Sequence, residues 1–236
     1  MNDFLSDVEL YYSSFPIVDD TIHLVDEECH HIKNVMRHKE GDIIYVTDGK
    51  GIIYNSLVER IEKNEIACRI ISKRPYENSL ANICFCIPRL KSADRFEFAL
   101  EKCVELGITN FIVFESQRTV AKGEKLERWE KILLAAMKQS LRAWLPKIYF
   151  VKNVSEIMKM EGVKYIFDQN AEQTFQPDLC TLRSTLSILI FGPEGGFSED
   201  ELKIENGELI MVRLSGHRLR SETSIITAAS LLALQY

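Results

Sequence analysis

The stretch that most constrains this chain is Leu186–Phe197, LSILIFGPEGGF. An apolar run from Leu186 to Phe191 stops abruptly at Gly192-Pro193-Glu194-Gly195-Gly196. A run that is apolar on both faces predicts a buried strand of a parallel sheet. The turn after it exposes backbone N–H and C=O groups, and its three glycines let a ligand approach them closely. Ser198, with Glu201 three residues on, forms a capping box and predicts a helix starting there. Strand, glycine turn and helix is the layout in which open α/β sheets bind ligands at the carboxyl ends of their strands. A tight turn with no ligand is the plain alternative for this stretch taken alone. The spacing is not that of a dinucleotide fingerprint, and no Lys-Ser/Thr follows as in a phosphate loop.

The rest of the chain falls into two halves around this feature. In residues 1–72, His30–His38 (HHIKNVMRH) predicts a short helix ended by Gly41. Asp42–Thr47, Gly51–Ile61 and Glu65–Ile71 predict short strands. Asp48-Gly49-Lys50-Gly51 is a hairpin turn signal, and short, closely spaced strands point to a small β-barrel or sandwich. Residues 73–80 are polar and carry Pro75, so the linker is placed there. From Ala81 to residue 236 the rhythm becomes strand, helix, strand. Strands are expected at Asn82–Ile87, Ile108–Phe114, Ile148–Val151, Tyr165–Phe167 and Leu209–Leu214. Helices are expected at about Asp94–Leu106, capped by Asp94 and Glu97 and ended by Gly107, at about Lys125–Leu141, at Val154–Met160 and at Ser221–Tyr236. Alternating elements imply an α/β domain, a parallel sheet with helices on both faces.

Composition bounds what the chain does. Its 236 residues are 46% apolar, enough for one large domain or two small ones. With 29 Lys+Arg against 35 Asp+Glu the net charge is -6, which argues against a generic polyanion binder but leaves room for one basic face. The six cysteines, Cys29, Cys68, Cys84, Cys86, Cys103 and Cys180, form no C-x-x-C pair. They are expected to be buried reduced thiols of a cytoplasmic protein, with no disulfide framework and no metal site. The start, MNDFLSDVEL, is not expected to be a signal peptide. No apolar run approaches the roughly 18 residues a membrane helix needs.

A second polar feature in an apolar context is Leu214–Ser224, LSGHRLRSETS, between the last strand and the last helix. It is either a solvated loop with Glu222 at a helix N-terminus or the second lip of a site whose first lip is Gly192–Gly196. Gln139-Ser140-Leu141-Arg142 closes a helix, where Arg142 complements the dipole. Lys91, Arg95 and Arg118 flank strand ends, and Lys33, Arg37, His38 and Lys39 form a small basic group. Arg142, Lys91, Arg95 and Arg118 taken together point to one basic face on an acidic chain, whereas the group at Lys33–Lys39 reads first as solvated surface. No G-x-S-x-G elbow is present.

Five stretches in this order carry a resemblance: VMRHKEGD (35–42), KSADRFEFALEKCVELGI (91–108), RWEKILLAAMKQSLRAWLP (128–146), FGPEGGFSEDE (191–201) and LSGHRLRSETS (214–224). Across nearly its whole length the chain resembles the 16S ribosomal RNA uridine-N3 methyltransferases of the SPOUT superfamily. It departs from that pattern at Lys138, Ser215, Arg218 and Ser221–Ser224. The resemblance implies a PUA-like, RNA-binding β-barrel in residues 1–72 and a trefoil-knotted methyltransferase domain in 81–236. It implies S-adenosylmethionine (SAM) as cofactor, a homodimer, and 16S ribosomal RNA or the small ribosomal subunit as partner. Cofactor contacts are then expected from Phe191, Gly192, Pro193, Gly195, Gly196, Leu214, Ser215, Gly216, Leu219 and Thr223. Catalytic roles are expected for Arg220, Glu194 and Glu222. RNA contacts are expected from Lys33, Arg37, Lys91, Arg95, Arg118, Gln139 and Arg142. A non-catalytic RNA- or nucleotide-binding module, and a knotted methyltransferase with another RNA target, remain the alternatives.

Overall fold

The computed structural model describes residues 8–202 and 208–235. The chain divides into two compact units: the chain up to Asn78 together with Met137–Leu145, and Ser79–Ala136 together with Pro146 onward.

The first unit contains β1 (Leu10–Tyr12), β2 (Thr21–Val25), α1 (Asp26–His30), a π-helical turn (His31–Val35), β3 (Ile43–Thr47), β4 (Ile52–Ile61) and β5 (Glu65–Pro75). They form one sheet of order β1-β3-β4-β5-β2, antiparallel except for the β1–β3 pair. The long β4–β5 ladder shifts register at Asn55/Ser56 and at Val58/Arg60. Bulges of this kind bend a strand and increase its twist, which curls the sheet around its own side chains. Tyr11, Ile22, Leu24, Ile44, Val46, Val58 and Ile66 fill the interior.

Three details differ from the sequence reading. The helix expected at His30–His38 starts earlier, at Asp26, and continues as the π-helical turn. Asp26, Glu27 and Glu28 occupy its first turn, where the helix dipole favours acids. Arg37, at φ 58°, ends it before Gly41 is reached. Strand β5 runs on through Lys73 and Arg74 to Pro75, so the expected linker begins later; a proline is tolerated at the end of a strand. The segment Met137–Leu145 also folds onto the first unit. Trp144 Nε1 donates to the Tyr76 carbonyl at 2.8 Å, and the Leu145 and Gly51 amides bond to Gly49 and Ala143 across the hairpin. A Cβ at Gly51, where φ is 95°, would collide with the Trp144 ring.

The second unit contains β6 (Ile83–Pro88), α2 (Ala93–Glu105), β7 (Asn110–Phe114), α3 (Leu126–Gln139, whose last turn belongs to the first unit), β8 (Lys147–Val151), α4 (Val154–Met158), β9 (Val163–Phe167), α5 (Leu179–Ser184), β10 (Ser187–Phe191), a 3-10 turn (Asp200–Leu202), β11 (Glu208–Val212) and α6 (Ser221–Ala233). The six strands are all parallel, in the order β11-β9-β10-β6-β7-β8. Every residue of β6 and β10 is buried, as their continuous apolar sequences require. Ser92, not Asp94, caps α2, accepting from the Arg95 amide at 3.4 Å. Glu97 instead receives two bonds from Arg128, at 2.6 and 2.7 Å, tying α2 to α3. The Arg128 guanidinium holds the Glu97 carboxyl below its ordinary range. Beneath that pair Phe96 packs on Trp129, and the buried Arg89 guanidinium lies 5.1 Å from both ring centres.

The chain runs outward from β6 to β7 and β8, returns to β9 on the far side, and then inserts β10 between β9 and β6. This reversal is a topological switch point, where open parallel sheets leave a crevice. Strands β11, β9 and β10 end level, with Phe167 in register with both Phe191 and Val212. Their three following loops therefore leave the sheet side by side. No helix among the described residues is long and apolar enough to cross a membrane.

Candidate functional site

The three adjacent loops enclose a cavity of about 720 Å³ in the second unit. It is lined by Phe167–Asn170 after β9, Gly192–Phe197 after β10, the 213–222 segment after β11 except Gly216, and by Arg95 and Ser224. The two lips read from the sequence are thus brought together. Ser221 Oγ, at the start of α6, donates to the Gly192 carbonyl at 3.2 Å and closes one lip on the other. Beneath the loops the rings of Phe167 and Phe191 stack at 4.6 Å and 2°, making an apolar base.

Of the expected cofactor contacts, Gly192, Pro193, Gly195, Gly196, Leu214, Ser215 and Leu219 line the cavity. Phe191 is 1% exposed and lies in the strand under it. Gly216 and Thr223 are not on its wall. Ser215 Oγ accepts from the His217 amide at 3.1 Å, an ST turn that shapes the second lip. The three expected catalytic residues, Arg220, Glu194 and Glu222, all face the cavity. Arg220 is the N-cap residue of α6, and among the described residues its guanidinium has no acidic partner. Glu222 lies two residues on, in the first turn of α6, with Arg95 Nη1 3.6 Å from its carboxylate. Glu194 Oε1 accepts from the Lys91 amide at 3.1 Å, which anchors the glycine turn to the loop between β6 and α2.

The helix expected from Ser198 is only the short 3-10 turn, and residues 203–207 lie outside the described part. The capping box itself forms in altered guise. Glu201 is 7% exposed, and its Oε2 accepts from the Ser198 amide at 2.9 Å and from Ser198 Oγ at 3.1 Å. Its other oxygen accepts from the Gln117 amide at 2.8 Å.

The expected RNA contacts are distributed differently. Arg95 reaches the cavity wall, and Lys91 is exposed in the adjoining loop. Arg118 Nη1 donates to the Gly195 carbonyl at 2.9 Å, so its head is engaged with the glycine turn, off the cavity wall. In the first unit, Lys33 Nζ donates to the Glu62 and Lys63 carbonyls at 2.7 and 3.1 Å. Arg37 and Gln139 are exposed, and Arg142 is half-buried with its amide on the Met137 carbonyl. Sequence reasoning missed the Phe167–Asn170 loop altogether. Its residues carry no motif, and only the register of β9 with β10 and β11 places it beside the two lips. Among the described residues there is no cluster of metal-ligating side chains.

Comparison with known proteins puts this geometry in a family. The RNA methyltransferase domain matches residues 77–233, and the RNA methyltransferase PUA domain matches residues 24–71. The chain is 29% identical over 231 residues to the ribosomal RNA small subunit methyltransferase E of Bacillus subtilis, covering 91% of this chain and 90% of that one. It is 32% identical over 215 residues to the protein of the same name from Mesomycoplasma hyopneumoniae, covering 86% and 89%. Among solved structures, the ribosomal RNA small subunit methyltransferase E of Neisseria gonorrhoeae, bound to S-adenosyl methionine, superposes with a TM-score of 0.81 at 25% identity, covering 97% of this chain and 98% of that one. The two units are accordingly the PUA-like and SPOUT halves expected from the resemblance. The chain belongs to the ribosomal RNA small subunit methyltransferase E family of RNA methyltransferases.

Proposed function

We propose that this protein methylates N3 of a uridine in 16S ribosomal RNA, using SAM held in the cavity between the loops after β9, β10 and β11. The observation that carries this reading is the pair of facing lips, Gly192–Gly196 and Leu214–Ser221, latched by Ser221 on Gly192. The residues present fit such a cofactor. The cavity is of small-molecule size, with an aromatic base and walls of glycine backbone suited to a purine. Asp168, Glu194 and Glu222 give it carboxylates for ribose hydroxyls and for a cationic sulfonium. The relative from Neisseria gonorrhoeae, whose structure holds this cofactor, supports the same choice.

When bound, SAM supplies an activated methyl group. The chain's own residues must then handle the base. Uridine N3 carries a proton that has to be lost before or as N3 attacks, leaving negative charge spread over O2 and O4. A fixed cation beside either oxygen stabilises that charge where it develops. Arg220 is assigned this role: it stands on the wall of the cavity without an acidic partner among the described residues. Glu194, anchored to the Lys91 amide, organises the glycine turn. Glu222, whose one ion pair among the described residues is the long one to Arg95, is assigned the N3 proton.

The first unit is assigned RNA binding, in keeping with its PUA domain match, and the second unit methyl transfer. Lys91 and Arg95 near the cavity, and Lys33, Arg37, Gln139 and Arg142 in the first unit, are the proposed RNA contacts, acting mainly on phosphates. The protein is proposed to work as a homodimer in the cytoplasm. The test is calorimetry with SAM, followed by mapping of N3-methyluridine in 16S ribosomal RNA from a deletion strain. Loss of one such uridine, restored by the wild-type gene, is expected. An unchanged methylation map with intact cofactor binding would leave a binding module or an enzyme for another RNA.

A further inference from the structure

The glycine turn is closed by its own Gly196 amide on the Pro193 carbonyl at 2.9 Å and is held from outside as well. Three contacts join it, and the residues just after it, to the turn that follows β7, Ser116–Thr119, and a fourth joins them to the end of β7 itself. Arg118 Nη1 donates to the Gly195 carbonyl at 2.9 Å. The Arg118 Cβ lies so close that a Cβ added to Gly195 would come within 2.9 Å of it. Glu201, nearly buried, bridges the Gln117 amide on one oxygen and the Ser198 amide and hydroxyl on the other. Between these links Phe197 stacks on Phe114, the last residue of β7, at 6.2 Å and 14°. The β7 turn is itself rigid. The Ser116 amide donates to Thr119 Oγ1 at 2.9 Å, the Arg118 amide to Ser116 Oγ at 3.2 Å, and both Ser116 and Thr119 are buried.

We propose that the Ser116–Thr119 turn is a brace for the cofactor loop, with Arg118 and Glu201 as positioning residues that set cofactor affinity through the Gly195 carbonyl and the Ser198 amide. None of the residues of the β7 turn lines the cavity, so the brace acts through the loop it holds. The inference rests on the cofactor reading above. It reassigns Arg118 from an RNA contact to a support of the loop. A turn of three glycines has the most conformational freedom to lose on binding, and fixing it beforehand removes that cost from the binding step.

The chemistry of Glu201 sharpens the test. Both of its oxygens accept from N–H groups, so Glu201→Gln turns one acceptor into a donor facing a donor, with almost no change in shape. Arg118 is exposed, so Arg118→Ala removes one bond to Gly195 and leaves the core untouched.

Isothermal calorimetry with SAM and no RNA should be run on the wild type, Arg118→Ala, Arg118→Lys and Glu201→Gln, with a thermal melt of each. Arg118→Ala and Glu201→Gln are expected to weaken SAM binding about tenfold, equivalent to about 1.4 kcal/mol. Arg118→Lys is expected to recover part of that loss, because an ammonium can still reach the carbonyl. In turnover with RNA, KM for SAM should rise while kcat at saturation is kept, a split that loss of folded protein would not give. Wild-type binding with unchanged Kd in both variants would overturn the brace, as would a fall in melting temperature with Kd unchanged. Failure of the wild type to bind SAM would overturn the cofactor reading and the brace with it.

Discussion

At the scale of single residues, the site separates charges that bind from charges that act. Four arginines (Arg95, Arg213, Arg218 and Arg220) and three acids (Asp168, Glu194 and Glu222) line the one cavity. Glu194, on the Lys91 amide, and Glu222, with Arg95, have part of their charge matched before any ligand arrives. Among the described residues Arg220 has no acidic partner. Replacing it with alanine should lower the methylation rate by a hundredfold or more, the size of effect usual for a group that stabilises developing negative charge. SAM affinity should stay within about twofold, because the contact belongs to the transition state rather than to binding. Single-turnover transfer to 16S ribosomal RNA, measured beside calorimetry, reads both, and an unchanged rate would remove Arg220 from the chemistry. Glu194 makes the opposite forecast. Glu194→Gln keeps a carbonyl oxygen for the Lys91 amide and should retain most activity, whereas Glu194→Ala should weaken SAM binding. A rate collapse in Glu194→Gln would instead show that its charge takes the proton.

At the scale of elements, what was legible in the sequence was local. The run Leu186–Phe191 is β10 nearly to the residue, because a strand buried on both faces needs an unbroken apolar sequence. The hairpin signal at Asp48–Gly51 joins β3 to β4 as read, with Gly49 and Gly51 at φ 70° and 95°. Strands β1 and β2 were not legible: β1 is three residues long and pairs in parallel with β3, so nothing near it in sequence marks it. The cap of α2 was misplaced by two residues because Asp94 and Ser92 are both good N-cap types, and only the backbone geometry at Ser92 chooses between them. The role of Trp144 beside Gly51 was equally hidden. Gly51→Ala should destabilise the first unit by more than 1 kcal/mol, since it adds a positive-φ penalty to a clash with an indole held by Tyr76. A denaturant melt of the full chain, followed by tryptophan fluorescence, checks it. A midpoint equal to wild type would mean that the indole moves aside freely.

At the scale of the whole molecule, the buried neutral acids of the first unit make it sensitive to alkali. Burial pushes the Cys68 thiol up from 9.0 to about 12, and burial together with Asp48 pushes the Tyr54 phenol up from 10.0 to about 12. Both groups are held in their neutral forms by the fold, so their folded values lie above their unfolded ones. The stability linked to the thiol is complete below about pH 9 and is lost as pH rises towards 12; that linked to the phenol is lost between about pH 10 and 12. The first unit is therefore expected to lose stability in that window, and Cys68→Val should move the alkaline midpoint upward. Circular dichroism against pH reads the shift, and an unmoved midpoint would count against it. RNA binding belongs to this scale as well. Charge reversal at the exposed Arg37 should weaken binding to 16S ribosomal RNA and flatten its salt dependence, as loss of a phosphate contact does. No change in either would take Arg37 out of the RNA path.

The return of Met137–Leu145 to the first unit has a consequence for how the protein is made. The hairpin of β3 and β4 is synthesised early, but the indole that covers Gly51 and the amide that bonds Gly49 arrive only when residues 144 and 145 emerge from the ribosome. A nascent chain that has passed Asn78 holds all five strands of the first sheet and still lacks its last bonds. The first unit cannot be finished before β6, α2, β7 and α3 have been translated, so the two units mature together rather than one after the other. An expression fragment cut near residue 78 should for that reason be less stable than the same residues in the full chain, and adding a peptide of residues 137–145 should restore part of the difference.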